Sequence, residues 1–183
     1  MRIADLDARR VAVWGFGGEG RAAIRAIRAA LPGLPLAVYC GAAEADAVRA
    51  FDPTLAVHAR EPDAGELAAF EVVVKSPGVS RYKPVILAAA AEGTHFTSGT
   101  ALWFGDHSDA RVVAVTGTKG KSTTTALIAH LARALHLRTA LAGNIGLPLL
   151  DLGADTAALW AIELSSFQTG EAGPVELAVV TSL

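Results

Sequence analysis

The stretch that most constrains the fold of this chain is VTGTKGKSTTTALIAHLARA, residues 115–134. It begins with small apolar residues, continues through glycines, lysines and hydroxyl residues, and ends in a helical pattern. A short apolar strand that runs through such a loop into a long helix is typical of α/β folds with parallel sheets. The backbone N–H groups at the start of that helix attract anions. The stretch therefore predicts a phosphate-binding loop on a parallel sheet.

The loop departs from the Walker A pattern G-x-x-x-x-G-K-[ST], because Val115 stands where the first glycine is required. Its chemistry is nevertheless intact. Lys121 can reach the β- and γ-phosphates of a nucleotide, and the Ser122 hydroxyl can bind Mg²⁺. We predict that the phosphates contact the residues of this loop, namely Gly117, Thr118, Lys119, Gly120, Lys121, Ser122 and Thr123.

Two alternatives stay open for this loop. Lys119 either adds positive potential near the triphosphate or points into solvent, and we favour solvent. The whole loop can also be a glycine-rich turn with an ordinary surface lysine. The combination of strand, loop, Lys-Ser pair and long helix favours phosphate binding.

Short apolar runs alternate with helical patterns along the chain. Hydrophobic residues make up 52% but aromatic residues only 6%, which suits helices packed on buried parallel strands better than a β-sandwich. Strands are predicted over residues 11–15, 35–40, 71–76, 111–117, 138–143, 156–163 and 175–182. Helices are predicted over 18–31, over 83–93 with Gly93 as C-cap, and over 121–136. The fold class is α/β, with an N-terminal Rossmann-like parallel sheet domain followed by the first half of a P-loop-type ATPase domain.

The polar, turn-rich segment FGDHSDA, residues 104–110, indicates a domain boundary. We predict a Rossmann-like domain over residues 1–107 and a partial ATP-binding domain over residues 108–183. The last residues, VVTSL, are predicted to be a strand without a following helix, so we expect the second domain to be incomplete.

Composition excludes several classes of function. The net charge is −2 and no basic run is present, so neither nucleic acid nor an anionic membrane is an expected partner. A single cysteine, Cys40, excludes an internal disulfide and fits a reducing cytoplasm. No signal peptide and no apolar stretch of membrane-spanning length are recognised, so a cytoplasmic protein is expected.

The segment GFGGEG supplies Gly15, Gly17 and Gly20 between a strand and a helix. This G-x-G-x-x-G pattern suits an anionic ligand, but a nicotinamide dinucleotide also requires an acid at the end of the second strand. Cys40 and Gly41 stand there instead, and Glu44 is expected to belong to a helix. A dinucleotide, tight packing alone, and another nucleotide or phosphate ligand remain as interpretations, of which the last is favoured.

Three further segments carry polar groups where strands end. KSPGVSRYKP, residues 75–84, places Ser76, Gly78 and Ser80 where they can donate to a ligand, although a plain proline–glycine turn is an equal alternative. AGNIGLP, residues 142–148, offers Asn144 in the same way. AIELSSFQ, residues 161–168, ends an apolar strand with Glu163. A lone carboxylate there is costly unless it is paired or metal-bound, so next to a phosphate loop we predict a Mg²⁺ ligand rather than a surface glutamate.

Taken together, TGTKGKST, GNIGLP, ELSSFQ, SPGVS and GFGGEG resemble, in order and spacing, the motifs of the Mur ligases of peptidoglycan synthesis. The resemblance covers nearly the whole chain. It narrows to the branch that adds glutamate to UDP-N-acetylmuramoyl-L-alanine. What it implies is an ATP-dependent amide ligase that forms an acyl phosphate on the alanine carboxylate, which the glutamate amine then attacks.

The resemblance also implies residue roles. Lys121 would stabilise the transferring phosphoryl group as a catalytic residue together with Glu163, and Ser122 and Glu163 would hold Mg²⁺. The uridine diphosphate end would contact Gly18, Glu19, Ser76, Pro77, Gly78 and Val79. The muramoyl–alanine portion would face Asn144, Ser165 and Gln168.

The chain departs from the family pattern at two places. Cys40, Gly41 and Ala42 replace the acid, hydroxyl residue and arginine that commonly contact uracil, and Lys119 replaces an asparagine. The resemblance leaves the choice between D- and L-glutamate open, because it places glutamate on a further domain. It also implies a monomeric full-length enzyme, and we expect residues 1–183 alone to be inactive.

Three rival functions remain. A folylpolyglutamate synthase uses similar chemistry but lacks a Rossmann-like domain before the phosphate loop, whereas residues 1–107 precede it here. A non-catalytic UDP-sugar-binding fragment is the second rival. An NAD-dependent oxidoreductase is the third, and the phosphate loop argues against it.

Overall fold

The chain forms an α/β fold with two parallel sheets. The computed structural model describes residues 1–145, 147–152 and 157–182. The first sheet has the strand order β3-β2-β1-β4-β5. Its strands are β1 Val11–Trp14, β2 Leu36–Tyr39, β3 Ala56–His58, β4 Val72–Lys75 and β5 His95–Thr97. All four pairings in it are parallel.

The second sheet has the order β7-β8-β6-β9 and is also parallel. Its strands are β6 Val112–Thr116, β7 Thr139–Gly143, β8 Leu159–Glu163 and β9 Leu177–Val180. In both sheets central strands, namely β1, β4 and β8, are buried along their whole length, as parallel sheets require. They are apolar except at the last residues of β4 and β8, Lys75 and Glu163.

Six α-helices accompany the sheets in the described ranges. They are α1 Gly18–Ala30, α2 Ala45–Phe51, α3 Ala64–Ala68, α4 Pro84–Ala91, α5 Gly99–Asp106 and α6 Lys121–Ala134. Short 3₁₀ helices lie at Ile3–Leu6, Ala42–Glu44, Leu149–Leu152 and Thr169–Glu171. No helix in this part of the chain has both the length and the hydrophobicity needed to cross a bilayer.

The predicted fold class is confirmed, and all seven predicted strands are present with ends shifted by a few residues. Strand β8 begins at Leu159, and Thr156, where the prediction began, lies outside the described residues. Helix α6 ends two residues before the predicted His136. Gly93, which follows the last residue of α4 by two positions, has a φ of +102°, as a glycine that ends a helix should.

The sequence prediction was wrong about residues 104–106. They form the last turn of α5 rather than a polar turn, because Trp103 and Phe104 are buried against the second sheet. Leu102, one residue earlier, belongs to the core of the first sheet. Helix α5 therefore joins two hydrophobic cores, while the division into domains at residue 107 stays a prediction.

The strand order of the first sheet determines where a ligand can lie. The chain leaves β1 toward β2 and β3 on one side, and it continues through β4 and β5 on the other side. In such sheets ligands bind at the carboxyl ends of the strands where the order reverses, between β1 and β4. The loops after Trp14 and Lys75, which carry the two predicted substrate motifs, flank that point.

Candidate functional site

The predicted phosphate loop connects β6 to α6 and has a left-handed backbone at two glycines. The φ angle is +134° at Gly117 and +79° at Gly120. A Cβ atom at Gly117 would lie 2.5 Å from Thr181 Oγ1, so a side chain there would collide with the end of β9. The two glycines therefore give the loop a tight path that other residues would not adopt.

The start of α6 is open to an anion. Its N-cap residue is Gly120, which has no side chain to cap the first turn. Ser122 and Thr123 are exposed there. Lys121 folds back over the loop and its Nζ donates to the Gly117 carbonyl at 2.8 Å. The loop thus carries both the uncapped N–H groups at the start of α6 and the ammonium group of Lys121. This combination is typical of loops that bind phosphate.

The end of β9 anchors the loop, which the sequence did not predict. Thr181 Oγ1 donates to the Lys119 carbonyl at 2.5 Å and lies 3.2 Å from the Thr116 carbonyl. The Thr118 N–H donates to the Ser182 carbonyl at 3.0 Å. Lys119 itself is exposed. Residues about 60 positions away in sequence fix the loop's backbone, and no local pattern could have revealed them.

Glu163 lies at the end of β8 and is only 2% exposed. Its Oε1 accepts a hydrogen bond from Asn144 Nδ2 at 3.2 Å. Its Oε2 is buried and has no hydrogen-bond partner within the described ranges. A buried carboxylate oxygen without a partner is costly, and a cation removes that cost. The donor chemistry therefore fits Mg²⁺, which prefers carboxylate and hydroxyl oxygens.

The described residues contain no group of three or more histidine, cysteine, aspartate or glutamate side chains that could hold a metal by themselves. An ion at Glu163 would need oxygens from other sources. The Ser122 hydroxyl is one candidate, and the phosphates of a bound nucleotide are another. Mg²⁺ commonly binds in this way, with one or two protein ligands and substrate phosphates.

Asn144 reaches Glu163 because of the backbone at Gly143. The φ angle of Gly143 is +94°. The Asn144 N–H donates to the Glu163 carbonyl at 2.9 Å, so the end of β7 is attached to the end of β8. A Cβ atom at Gly143 would lie 2.2 Å from the same carbonyl oxygen. Only glycine allows this close approach of two backbones.

In the first sheet, the two predicted substrate loops contact each other. A Cβ atom at Gly15 would lie 2.5 Å from Ser76 Oγ, and one at Gly20 would lie 2.0 Å from the Gly15 carbonyl. The Ser76 hydroxyl is buried and has no partner among the residues that the structure describes. The Val79 N–H donates to the Ser76 carbonyl at 3.0 Å, which closes a turn over Pro77 and Gly78.

The start of α1 also has no side-chain cap, because its N-cap is Gly17. Gly18 is exposed there, and the half-buried Glu19 follows it. Glu19 Oε2 lies 3.2 Å from the position that a Cβ would take at Gly99, the first residue of α5. Burial raises the pKa of the Glu19 carboxyl, and the negative charges of Asp151 and Glu171 raise it further.

The described loop after β2 has no acid at the position where a dinucleotide site requires one. Cys40 is buried, and burial raises the pKa of its thiol. Glu44 lies in a 3₁₀ helix, as the sequence indicated, and its Oε2 accepts a hydrogen bond from the Gly41 N–H at 2.9 Å. The carboxylate of Glu44 is thus committed to the backbone of its own turn, which disfavours a ribose contact.

Gln168 is buried and its amide bonds within the protein. Its Oε1 accepts from the Ser165 N–H at 3.0 Å and from the Ser165 hydroxyl at 2.9 Å. Its Nε2 donates to Thr100 Oγ1 in α5 at 3.2 Å. In this structure the side chain of Gln168 shapes the loop after β8 and attaches that loop to α5.

The sequence analysis did not recognise an ion pair that joins the two sheets. Lys75, at the end of β4, is 5% exposed, and its Nζ lies 2.9 Å from Glu171 Oε1. Glu171 belongs to the 3₁₀ helix that follows the loop after β8. A buried lysine needs such a partner, because an unpaired charge in the interior is strongly unfavourable.

The fold and these loops define a class of protein: a two-sheet α/β protein with a glycine-rich loop of the phosphate-binding type and a buried acid at the adjacent strand end. Residues 115–183 match the family of the Mur ligase middle domain. A UDP-N-acetylmuramoyl-L-alanine--L-glutamate ligase of Xanthomonas axonopodis pv. citri (strain 306) is 55% identical over 181 residues, which are 94% of this chain. Ligases of the same name from Xylella fastidiosa (strain 9a5c) and Salinispora tropica are 55% and 46% identical. The chain belongs to the Mur ligase family.

The chain spans about two fifths of the length of these relatives. It covers 38% of the Xanthomonas axonopodis and Xylella fastidiosa proteins, and 41% of the Salinispora tropica protein. In the other direction, the matches extend over 93% to 100% of this chain. Both sheets therefore lie within the shared region.

We expect Gly143→Ala to destabilise the protein. The left-handed φ and the 2.2 Å approach to the Glu163 carbonyl leave no room for a methyl group. The free energy of unfolding should fall by at least about 2 kcal/mol, measured by urea denaturation. Gly33→Ala is the matched control, because a Cβ at Gly33 meets no atom within 4 Å. Equal effects of the two substitutions would show that the β7 end relaxes without cost.

The raised pKa of Glu19 predicts a pH-dependent stability. The unfolded chain loses this proton at a lower pH than the folded protein, so ionisation of Glu19 disfavours folding as the pH rises from about 4 toward neutral. We expect Glu19→Gln to be more stable than the wild type at pH 7, with the difference vanishing at low pH. Urea denaturation across this pH range measures it. Glu92→Gln, on the surface after α4, gives the baseline for losing one negative charge, and the prediction fails if the two variants behave alike.

Proposed function

We propose that the protein to which this chain belongs is an ATP-dependent ligase that joins L-glutamate to UDP-N-acetylmuramoyl-L-alanine during peptidoglycan synthesis. The observation that carries the proposal is the buried Glu163 oxygen without a partner, at the strand end beside the phosphate loop. The names of relatives 46% to 55% identical to this chain support the choice of substrates. The choice of L-glutamate rests on those names alone.

The nucleotide would bind at the carboxyl end of β6. The N–H groups at the start of α6 would hold its phosphates, and Lys121 would move from the Gly117 carbonyl to a phosphate oxygen. A stronger electrostatic partner favours that exchange. Glu163 and Ser122 would hold Mg²⁺, which when bound offsets negative charge on the phosphates. Asn144 keeps one carboxylate oxygen of Glu163 in place.

The substrate UDP-N-acetylmuramoyl-L-alanine, called the precursor below, would bind across both sheets. We propose that residues 1–107 form its UDP-binding domain and that residues 108–183 belong to the ATP-binding domain. The glycine loop, with Gly18 and Glu19, and the turn from Ser76 to Val79 would contact the diphosphate end. The buried Ser76 hydroxyl without a partner supports this assignment, because a phosphate oxygen would satisfy it.

Ser165 and Asn144 lie on the loops after β8 and β7. Because these strands are parallel to β6, both loops lie at the carboxyl ends of the strands, as the phosphate loop does. We propose that this edge receives the muramoyl–alanine portion, so that the alanine carboxylate lies near the nucleotide. Holding the reacting groups together is a large part of the catalysis of any two-substrate reaction. Gln168 would act indirectly, by shaping the loop that carries Ser165.

A phosphate-release assay of the full-length protein tests the proposal. With UDP-N-acetylmuramoyl-L-alanine and ATP–Mg²⁺, we expect turnover with L-glutamate at an ordinary enzymatic rate, about 1 s⁻¹ or more. D-glutamate should react much more slowly. Turnover with D-glutamate alone would contradict the proposed specificity, and no turnover with either enantiomer would contradict the proposed activity.

Replacing the loop lysine provides a second test in the same protein. Lys121→Ala should lower kcat by about 10³-fold, because the phosphoryl group loses its nearest cation. Lys119→Ala is the matched control. Lys119 is exposed on the same loop, and its loss should change kcat by less than about threefold because solvent screens its charge. A comparable decrease of kcat in the two variants would assign the effect to the overall electrostatic field of the loop rather than to Lys121.

A further inference from the structure

A cavity of about 210 Å³ lies between the loop after β4 and the loop after β8. It is therefore built from both sheets and adjoins the two segments to which the precursor is assigned above. Its walls combine apolar, hydroxyl and cationic side chains, namely Lys75, Pro77, Val79, Ser80, Arg81, Tyr82, Ser166, Phe167, Thr169 and Gly170.

The two cations of this cavity differ in their pairing. Lys75 lies buried against the Glu171 carboxylate, so its charge is already balanced. Within the described ranges the Arg81 guanidinium has no ion pair, and its central carbon lies 5.8 Å from the centroid of the Tyr82 ring. One positive charge in the cavity is therefore left without a counterion.

Arg81 stands between the two loops. One of its terminal nitrogens lies 3.7 Å from the position that a Cβ would take at Gly170, so the guanidinium extends from the first loop to the second. A second cavity, of about 580 Å³, shares Arg81, Tyr82, Lys75 and Gly170 with the first. The exposed side chain of Arg81 therefore lines both cavities.

We propose that Arg81 binds the diphosphate of the precursor. This inference rests on the proposed function, and it adds a residue that neither the motifs nor the glycine loops include. Arg81 follows the Ser76–Val79 turn by two residues, and its five N–H donors suit two phosphate oxygens at once. Ser166, on the loop after β8, lines the same cavity.

Titrations of the 183-residue chain test this role. We expect Arg81→Ala to weaken the binding of UDP and of UDP-N-acetylmuramoyl-L-alanine about tenfold or more in calorimetry, because charge-assisted hydrogen bonds are lost. The binding of uridine, followed by NMR titration, should change by less than about twofold, since uridine carries no phosphate. Arg81→Lys should lie between the wild type and Arg81→Ala, because it keeps the charge but not the two-pronged contact.

Arg9→Ala is the matched control, since Arg9 is an exposed arginine of the first sheet's unit that lines neither cavity. It should leave UDP binding unchanged. UDP affinity unaltered by Arg81→Ala would overturn the inference and leave the proposed function standing. Equal losses for UDP and uridine, or for Arg81→Ala and Arg9→Ala, would also overturn it. If the wild-type chain binds neither UDP nor the precursor, the UDP-binding role of residues 1–107 is wrong and the inference is wrong with it.

Discussion

In-register pairing of three parallel strands holds the functional edge of the second sheet together. Glu163 is opposite Val115 of β6 on one side and opposite Gly143 of β7 on the other. This register carries a carboxylate into the interior beside the phosphate loop, where desolvation makes an unpaired charge costly. Asn144 satisfies one oxygen and leaves the other for a cation. The same register requires a glycine at 143, because the β7 backbone passes so close to the Glu163 carbonyl.

The two sheets are joined by polar contacts that connect the proposed substrate loops. Lys75 directly precedes the Ser76–Val79 turn, and its partner Glu171 follows the loop after β8. Gln168 links that second loop to Thr100 of α5, whose next turn buries Trp103 against the second sheet. A displacement of either loop therefore affects the other. Such a coupling suits an enzyme that has to hold two substrates in a fixed relation, because small misplacements of reacting groups greatly lower the reaction rate.

Membership of the Mur ligase family accounts for the unusual phosphate loop and for the glycine loop that lacks a dinucleotide acid. It does not account for the segment after β2, where Cys40 is buried and Glu44 bonds to the backbone of its own turn. Gly41 and Ala42 have no polar side chain and Cys40 is buried, so the acid, hydroxyl residue and arginine of the family pattern have no counterpart in this segment. In the proposed function, the contacts to the uridine nucleotide therefore come from the loops after β1 and β4. The Ser76 hydroxyl in the β4 loop is buried and has no partner among the described residues.

The sequence alone determined the α/β class, the seven main strands, the positions of both glycine loops and the acid at the end of β8, because continuous apolar runs and glycine-lysine-serine patterns are local signals. It missed β3 and β5, which are three-residue edge strands too short for a pattern. It also missed α5, because Leu102, Trp103 and Phe104 are buried against two different cores and show no single apolar face. The support of the phosphate loop by Thr181, the Lys75–Glu171 pair and the position of Arg81 beside Gly170 depended on tertiary structure, since each is a relation between residues distant in sequence.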